Sequence, residues 1–220
     1  APAQCQRCVC PTGQTLGGVE GVSKRHIVLA SRSPRRRELL ESAGWEVEVR
    51  VADIDDSDLD PHNADAASWT IALAWLKASA VREMLTANGD PVAVWPIVAG
   101  DTVCEHDGEL VGQPLDVGDA TTMVQAMADA THRVWTGLCV LVPGVPRLFG
   151  VDHAIVRVGA LSTSDISEYI ATGAWRGKAG GYNLSERLEA GWPITFEGHD
   201  STIMGMPLPL LDRLLGDHTC

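Results

Sequence analysis

The sequence predicts a mixed α/β fold, on three observations. Short apolar runs alternate with helix-length stretches, the pattern of strands connected by helices. Turn signals between neighbouring strand-like runs predict hairpins, so the sheet is expected to be mixed rather than purely parallel. Apolar residues make up 45% of the chain against 21% charged, enough to bury a core. The 220 residues suit one domain, and no repeat or linker divides them. Residues 24–220 are therefore expected to fold as a single unit behind a polar, Gly/Gln-rich leader, residues 1–23.

The elements follow in order. His26–Ala30 (HIVLA) is a short apolar run, the signature of a buried strand. It breaks at SRSP, where Pro34 suits the first helical turn and Ser33 the N-cap. The helix runs through RRRELLESAG, with Leu39, Leu40 and Ala43 inward and Gly44 as its stop. Trp45–Val51 alternates apolar and charged residues, a half-exposed strand. After an Asp-rich loop, Ala66–Ala87 reads as a long helix ended by Asn88-Gly89-Asp90. Ile97–Cys104 is a strand that turns at His106-Asp107-Gly108 into Glu109–Val111. Asp116 starts a helix with Ala120, Met123, Val124 and Met127 on one side. Val134–Val142 and Leu148–Val158 form a long antiparallel pair, Ser162 and Asp165 a capping box. The Gly-rich GKAGGYN leads to a last helix from about Pro207.

The net charge of −12 and a pI near 4.9 exclude a protein that coats nucleic acid or anionic lipid, since both need a basic face. The longest apolar run, Val92–Gly100, falls far short of the ~20 residues of a membrane helix, and no signal-peptide pattern is visible. A soluble, cytoplasmic protein is expected. The charge is unevenly spread: six basic residues and no acid lie between Lys24 and Arg37, six Asp and no base between Ala52 and Ala66. An anionic substrate with a divalent cation calls for such a pairing, although a solvated surface also explains charge runs. Cys5, Cys8 and Cys10 cluster at the start, but no second close pair of ligands follows, so a structural zinc site is not expected.

Four segments carry candidate chemistry. In ASRSPRRRELL a strand runs through hydroxyls into a helix start, where free N–H groups bind anions and Ser31, Ser33, Arg35 and Arg36 can add hydrogen bonds. Three adjacent Arg oppose the helix dipole there, which favours a functional reason over surface solvation. Asp101 sits in an otherwise apolar strand, where a carboxylate is costly unless it meets a cation or donors. It suits a hard cation or a water-activating base, and equally a strand-end turn cap. Lys77 lies in the long helix beside Leu73, Ala80, Val81 and Met84, an arrangement that snorkelling explains. The adjacent glycines of KAGGYN allow a ligand to approach the backbone, or simply a turn. Walker, dinucleotide-fingerprint, nucleophile-elbow and HExxH motifs are absent.

Taken together, LASRSPRRRELL, the DIDD loop, LAWLKASAV, AGDTV, DGELVGQP, THRVWTG, EYIATG, KAGGY and IMGMPL resemble the Maf family of nucleoside triphosphate pyrophosphatases, in order and spacing from Ile27 to Leu215. The resemblance implies an elongated mixed sheet of the inosine-triphosphate-pyrophosphatase type, with two lobes around a cleft. It implies cleavage between the α and β phosphates of a nucleoside triphosphate with Mg2+ or Mn2+, the triphosphate being the partner rather than a nucleic-acid polymer or a membrane, and leaves a homodimer open. By position, Asp101 matches the proton-accepting aspartate, Ser33, Arg35 and Arg36 the phosphate loop, and Lys77 a lysine near the phosphates. Thr102 matches the threonine typical of the dTTP/UTP subfamily, and Asp101 with Asp56 the metal side of the site.

The chain departs from the family at three places. Asp56 stands where the family usually has Glu, and Gln113 where the GKP motif has Lys. Ser185 or Glu186 replaces a glutamine tied to base selection. The expected function is pyrophosphate release from dTTP/UTP-type or modified nucleotides in pool housekeeping. The alternative, favoured by the lost lysine, is a catalytically weak nucleotide-binding regulator linked to cell division.

Overall fold

The computed structural model describes residues 25–54, 59–61 and 63–216. The leader with Cys5, Cys8 and Cys10, together with Lys24 and Asp56, lies outside the described residues.

The run HIVLA is apolar throughout because both of its faces are covered. It forms strand β1, Arg25–Leu29, which pairs in parallel with β2, Trp45–Val49, on one side. On the other it pairs in parallel with β3, Ile97–His106. Ile27 and Leu29 face one apolar cluster with Leu40, Val98, Leu138 and Leu211, while Val28 and Ala30 face a second with Ala74, Ala78, Val81 and Ala99. The period of two thus splits each strand between two cores. Helix α1, Pro34–Ser42, connects β1 to β2, and α2, Ala66–Ala87, packs on β3. Asp65 caps α2 through the Ser68 amide at 2.7 Å.

Beyond β3 the sheet becomes antiparallel. A short strand β4, Glu109–Val111, folds back on β3 through Asp107 and Gly108, both at positive φ (50° and 83°), the I′ geometry that matches strand twist. Helix α3, Val117–Met127, leads into β5, Ala130–Leu141, which pairs with β3 and with β6, Leu148–Val158. The sheet order is β2-β1-β3-β5-β6-β7, with β7 being Ile194–Glu197 and β4 joined to β3. Helix α4, Thr163–Ala171, carries the expected capping box of Ser162 and Asp165. Three short helices follow: α5, Leu184–Glu189, α6, Asp200–Ile203, and α7, Leu208–Leu215. A third apolar cluster joins the far ends of β3, β5 and β6 to α3, α4 and α5.

The mixed α/β expectation holds, and the differences are local. The second strand ends at Val49 rather than Val51, and the β5 strand begins at Ala130, four residues before the apolar run. β7, α5 and α6 were not expected; each is six residues or fewer, too short to show a period. Ser33 stands at the N-cap of α1, but its side chain makes no capping bond. Glycine has one structural task in the sheet: a Cβ on Gly137 of β5 would lie 2.6 Å from the Thr70–Ile71 backbone of α2, so only glycine lets that helix approach.

A buried polar pair sits among the apolar side chains of the far end. The His132 ring nitrogen Nε2 lies 2.7 Å from the Tyr182 hydroxyl, and Nδ1 has no partner. Burial, with the charge of His106 adding to it, pulls His132 down to about 4. Between pH 6.5 and about 4 the unfolded chain therefore binds more protons at this site than the native protein. Stability from His132 is complete above pH 6.5 and is lost as pH falls through that window, by on the order of 2–3 kcal/mol at pH 4.5. Urea unfolding at pH 7 and pH 4.5 is expected to show a smaller difference for His132→Gln than for the wild type, by about that amount; an identical difference would remove His132 from the acid response.

Candidate active site

The parallel pairing of β1 with β3 covers only Val28–Ile97 and Leu29–Val98. After Leu29 the chain leaves the sheet, β3 continues alone, and a crevice opens beyond the carboxyl end of β1, the usual ligand position in such sheets. The loop Ala30–Ser33 and the first turn of α1 form its rim. Successive β3 side chains point to opposite faces there, so Asp101 meets α2 while Thr102 meets α1.

On the α2 face, Lys77 Nζ donates to Asp101 Oδ1 at 2.6 Å, and Asp101 is 8% exposed. The buried carboxylate therefore has the cation its surroundings require. On the other face, Arg36 is held at all three of its nitrogens. Nε donates to the Gly205 carbonyl at 2.8 Å, Nη1 to Ser31 Oγ at 3.2 Å and Nη2 to Thr102 Oγ1 at 3.1 Å. Burial lowers the Arg36 pKa, the Asp101 charge offsets part of this, and Arg35 adds to the lowering. Thr102 lies 2.9 Å from Thr136 Oγ1, which donates to the Thr202 carbonyl at 2.8 Å. The single proton of Thr136 is thereby used, so Thr102 donates to Thr136 and presents only a lone pair to a ligand. Thr202 in turn donates to Asp152 at 2.7 Å.

The three adjacent arginines divide their tasks. Arg37 pairs with Glu41 at 2.7 Å, one helical turn on. Arg36 joins α1 to β3 and to Gly205. Arg35 lines the crevice with a buried Nε that has no partner among the described residues. Ser31 serves the loop itself, accepting from the Ser33 amide at 3.2 Å as well as from Arg36.

Two adjoining cavities fill the crevice, sharing Ser33, Arg35, Arg36, Gln113 and Gly177. The outer one, about 660 Å³, is lined by Arg32, Arg35, Arg36, Lys77, Arg176 and Lys178, with no carboxylate among its lining residues. The inner one, about 170 Å³, has an apolar wall of Val134, Tyr182, Leu184 and Ile203, with Thr102, Cys104 and Asn183. Burial pushes the Cys104 thiol up to about 12, so it is a neutral wall group. The structure thus brings Ser31, Ser33, Arg35, Arg36, Lys77, Thr102 and Gln113 to one crevice, with Asp101 bonded to Lys77 at its edge. Ser185 lies outside both cavities; its hydroxyl donates to Asn183 Oδ1 at 2.8 Å. Asp56 lies outside the described residues. Among the described residues no group of three or more His, Cys, Asp or Glu is placed to hold a metal by itself.

Sequence reasoning missed Asn183, Tyr182, Arg176, Lys178 and the Gly205 carbonyl. The first four follow one another within the Gly-rich stretch after α4, where only the glycines drew notice. The Gly205 carbonyl leaves no mark in sequence beyond the glycine itself.

The family model described as Maf-like protein matches residues 26–218. The chain belongs to the Maf-like protein family. A protein of Acholeplasma laidlawii named dTTP/UTP pyrophosphatase is 36% identical over 191 residues, covering 87% of this chain and 95% of that protein. One of the same name from Salinibacter ruber is 33% identical over 194 residues, covering 86% and 89%. Among solved structures, the Ham1 protein of Staphylococcus aureus overlaps 61% of this chain and 72% of its own, with a TM-score of 0.40 and 13% identity.

Within this Maf-like chain, Gly205 is the glycine on which the site's geometry turns. It has φ +91°, and a Cβ there would lie 2.9 Å from Thr102 Oγ1 and 3.1 Å from Arg36 Nε. Gly205→Ala is expected to lower stability by about 1–3 kcal/mol and to weaken inorganic tripolyphosphate binding, read by calorimetry, by about tenfold or more through the displaced Arg36. Unchanged affinity in a folded variant would mean that Arg36 is not part of the anion site.

Proposed function

We propose that the chain hydrolyses nucleoside triphosphates to the monophosphate and pyrophosphate, with a pyrimidine base of the dTTP/UTP type preferred. One observation carries the reading: a buried carboxylate, Asp101, fixed by Lys77, borders a cavity ringed by cations that opens into a small, largely apolar chamber. The relatives named dTTP/UTP pyrophosphatase support it. The outer cavity suits a triphosphate and the inner one a base. At about 170 Å³ the inner chamber is close to the ~150 Å³ that encloses one six-membered ring, so it favours a pyrimidine over a two-ring purine.

The donor set fits a hard divalent cation brought in with the substrate. Asp101 is an oxygen ligand, and Mg2+ typically binds through one or two carboxylates plus substrate phosphates. Asp101 would hold the Mg2+ or Mn2+, and the cation would supply charge neutralisation at the phosphates when bound. The residues of the chain do the rest. Lys77 fixes Asp101 through Oδ1, and no described residue bonds to Oδ2. Water attacks the α-phosphorus and passes its proton to Oδ2; the bond from the α-phosphorus to the bridging oxygen breaks, and pyrophosphate leaves with that oxygen. Arg35, Arg36 and Arg176 stabilise the charge on the departing pyrophosphate.

A second reading, a nucleotide-binding regulator with weak or no turnover, draws on Gln113. This neutral residue lines both cavities where the family usually carries a lysine.

A panel of pyrimidine, purine and modified nucleoside triphosphates, assayed for pyrophosphate release with Mg2+ and Mn2+, separates the two. Release, fastest from dTTP or UTP, is expected, and Asp101→Asn is expected to reduce kcat by at least about a hundredfold, in the range of general bases, with a smaller change in KM. Full release by that variant would end the mechanism. Thermal stabilisation by nucleotide without any release would favour the regulator.

A further inference from the structure

Asn183 precedes the short helix α5 and serves as its N-cap. Its Oδ1 accepts from the Glu186 amide at 3.1 Å and from Ser185 Oγ at 2.8 Å. Two donors at one oxygen settle which end of the amide is which: turning it over would set N–H groups against N–H and O–H donors. The amide NH2 therefore points away from the cap. Asn183 is 5% exposed and lines the inner cavity. Its Nδ2 has no hydrogen-bond partner among the described residues, yet it is not among the polar atoms sealed from solvent. A buried donor pair without a partner costs about 1–3 kcal/mol when no acceptor reaches it. Here the cavity supplies the route by which one can.

We infer that Asn183 reads the base, its Nδ2 donating to a carbonyl oxygen of a uracil or thymine ring in the inner cavity. The inference rests on the proposed nucleotide function and names the residue that selects within it. Thr102 completes the pattern from the same cavity. Its proton is committed to Thr136, so it offers a lone pair, while Asn183 offers protons. An acceptor beside a donor complements the N3–H and carbonyl edge of uracil and thymine. Cytosine presents the reverse at both positions, an N3 acceptor and an N4 amino donor. Ser185, the residue at the position of the family's selecting glutamine, then acts through Asn183: it holds the amide plane rather than touching the base.

Asn183→Asp tests this with the fewest side effects. Aspartate caps a helix as well as asparagine does, keeps the acceptor that α5 needs, and replaces the cavity-facing NH2 by an acceptor of equal size. Binding of the α,β-imido analogues of UTP and CTP, which resist cleavage at the bridge, is measured by calorimetry with Mg2+. The wild type is expected to favour the uridine analogue by about tenfold or more, and Asn183→Asp to reduce that ratio by about tenfold or more. The ratio cancels the added negative charge, which weakens both analogues alike. Asn183→Ser, a neutral residue that still caps, is expected to reduce the ratio as well and carries the test if the aspartate variant does not fold. A cap with no role at the base would lower thermal stability in the variants and leave the ratio unchanged; that result overturns the inference. If the wild type binds with the expected ratio but releases no pyrophosphate from UTP, the hydrolytic reading fails and this one stands. If neither analogue binds, both fail.

Discussion

Three segments far apart in the chain meet at one guanidinium, and the site exists because they do. Arg36 ties its own helix to Thr102, 66 residues away, and to the Gly205 carbonyl, 169 residues away, while holding Ser31 of its own loop. Planar geometry and five N–H donors suit arginine to this task; lysine would offer one point of attachment. Three of the donors face protein acceptors, which leaves two for a ligand. Arg36 is thus a scaffold first and an anion binder second, and its bonds decide where Arg35 points. The same contact explains the glycine at position 205, since any Cβ there would enter the space between Arg36 and Thr102.

The alternation of β3 assigns the chemistry to two faces. Asp101 turns to α2 and finds Lys77, whereas Thr102 turns to α1 and enters the hydroxyl chain to Thr136 and Thr202. Neighbouring residues in sequence are thereby given unlike roles, one beside the cations and one at the inner chamber. Because β1 parts from β3 after two paired residues, the two faces communicate across the gap, and a ligand as long as a nucleotide can touch both.

This division explains which parts of the site were legible in the sequence. β1 was legible because burial on both faces makes it continuously apolar, and α2 because Asp65 caps it and Asn88-Gly89 ends it. The arginine cluster was legible as an anion site, since three like charges at a helix start conflict with the dipole. How the three share the work was not, because Glu41, Thr102 and Gly205 decide it and two of these are distant in sequence. Asn183 was hidden for a different reason. As an N-cap it looks like ordinary turn chemistry, and only the fold shows that the unused end of its amide opens into a cavity. Ser33 is the converse case: it occupies a cap position without using it.

The chain is strongly acidic, yet its outer cavity is lined by six cations and no carboxylate. Three of them are paired with carboxylates beyond the lining: Lys77 with Asp101, Lys178 with Glu186 and Arg32 with Asp53. Arg35, Arg36 and Arg176 are left as the uncompensated charge, within about one unit of a triphosphate carrying roughly four negative charges, one on each inner phosphate and nearly two on the last. A divalent cation arriving with the substrate more than closes that difference. A lysine at position 113 would have matched the triphosphate without the cation and left an excess with it. The neutral Gln113 is therefore consistent with turnover when substrate and cation enter together, and the acidic exterior sharpens the contrast by concentrating favourable potential for an anion in the one cleft where the cations gather.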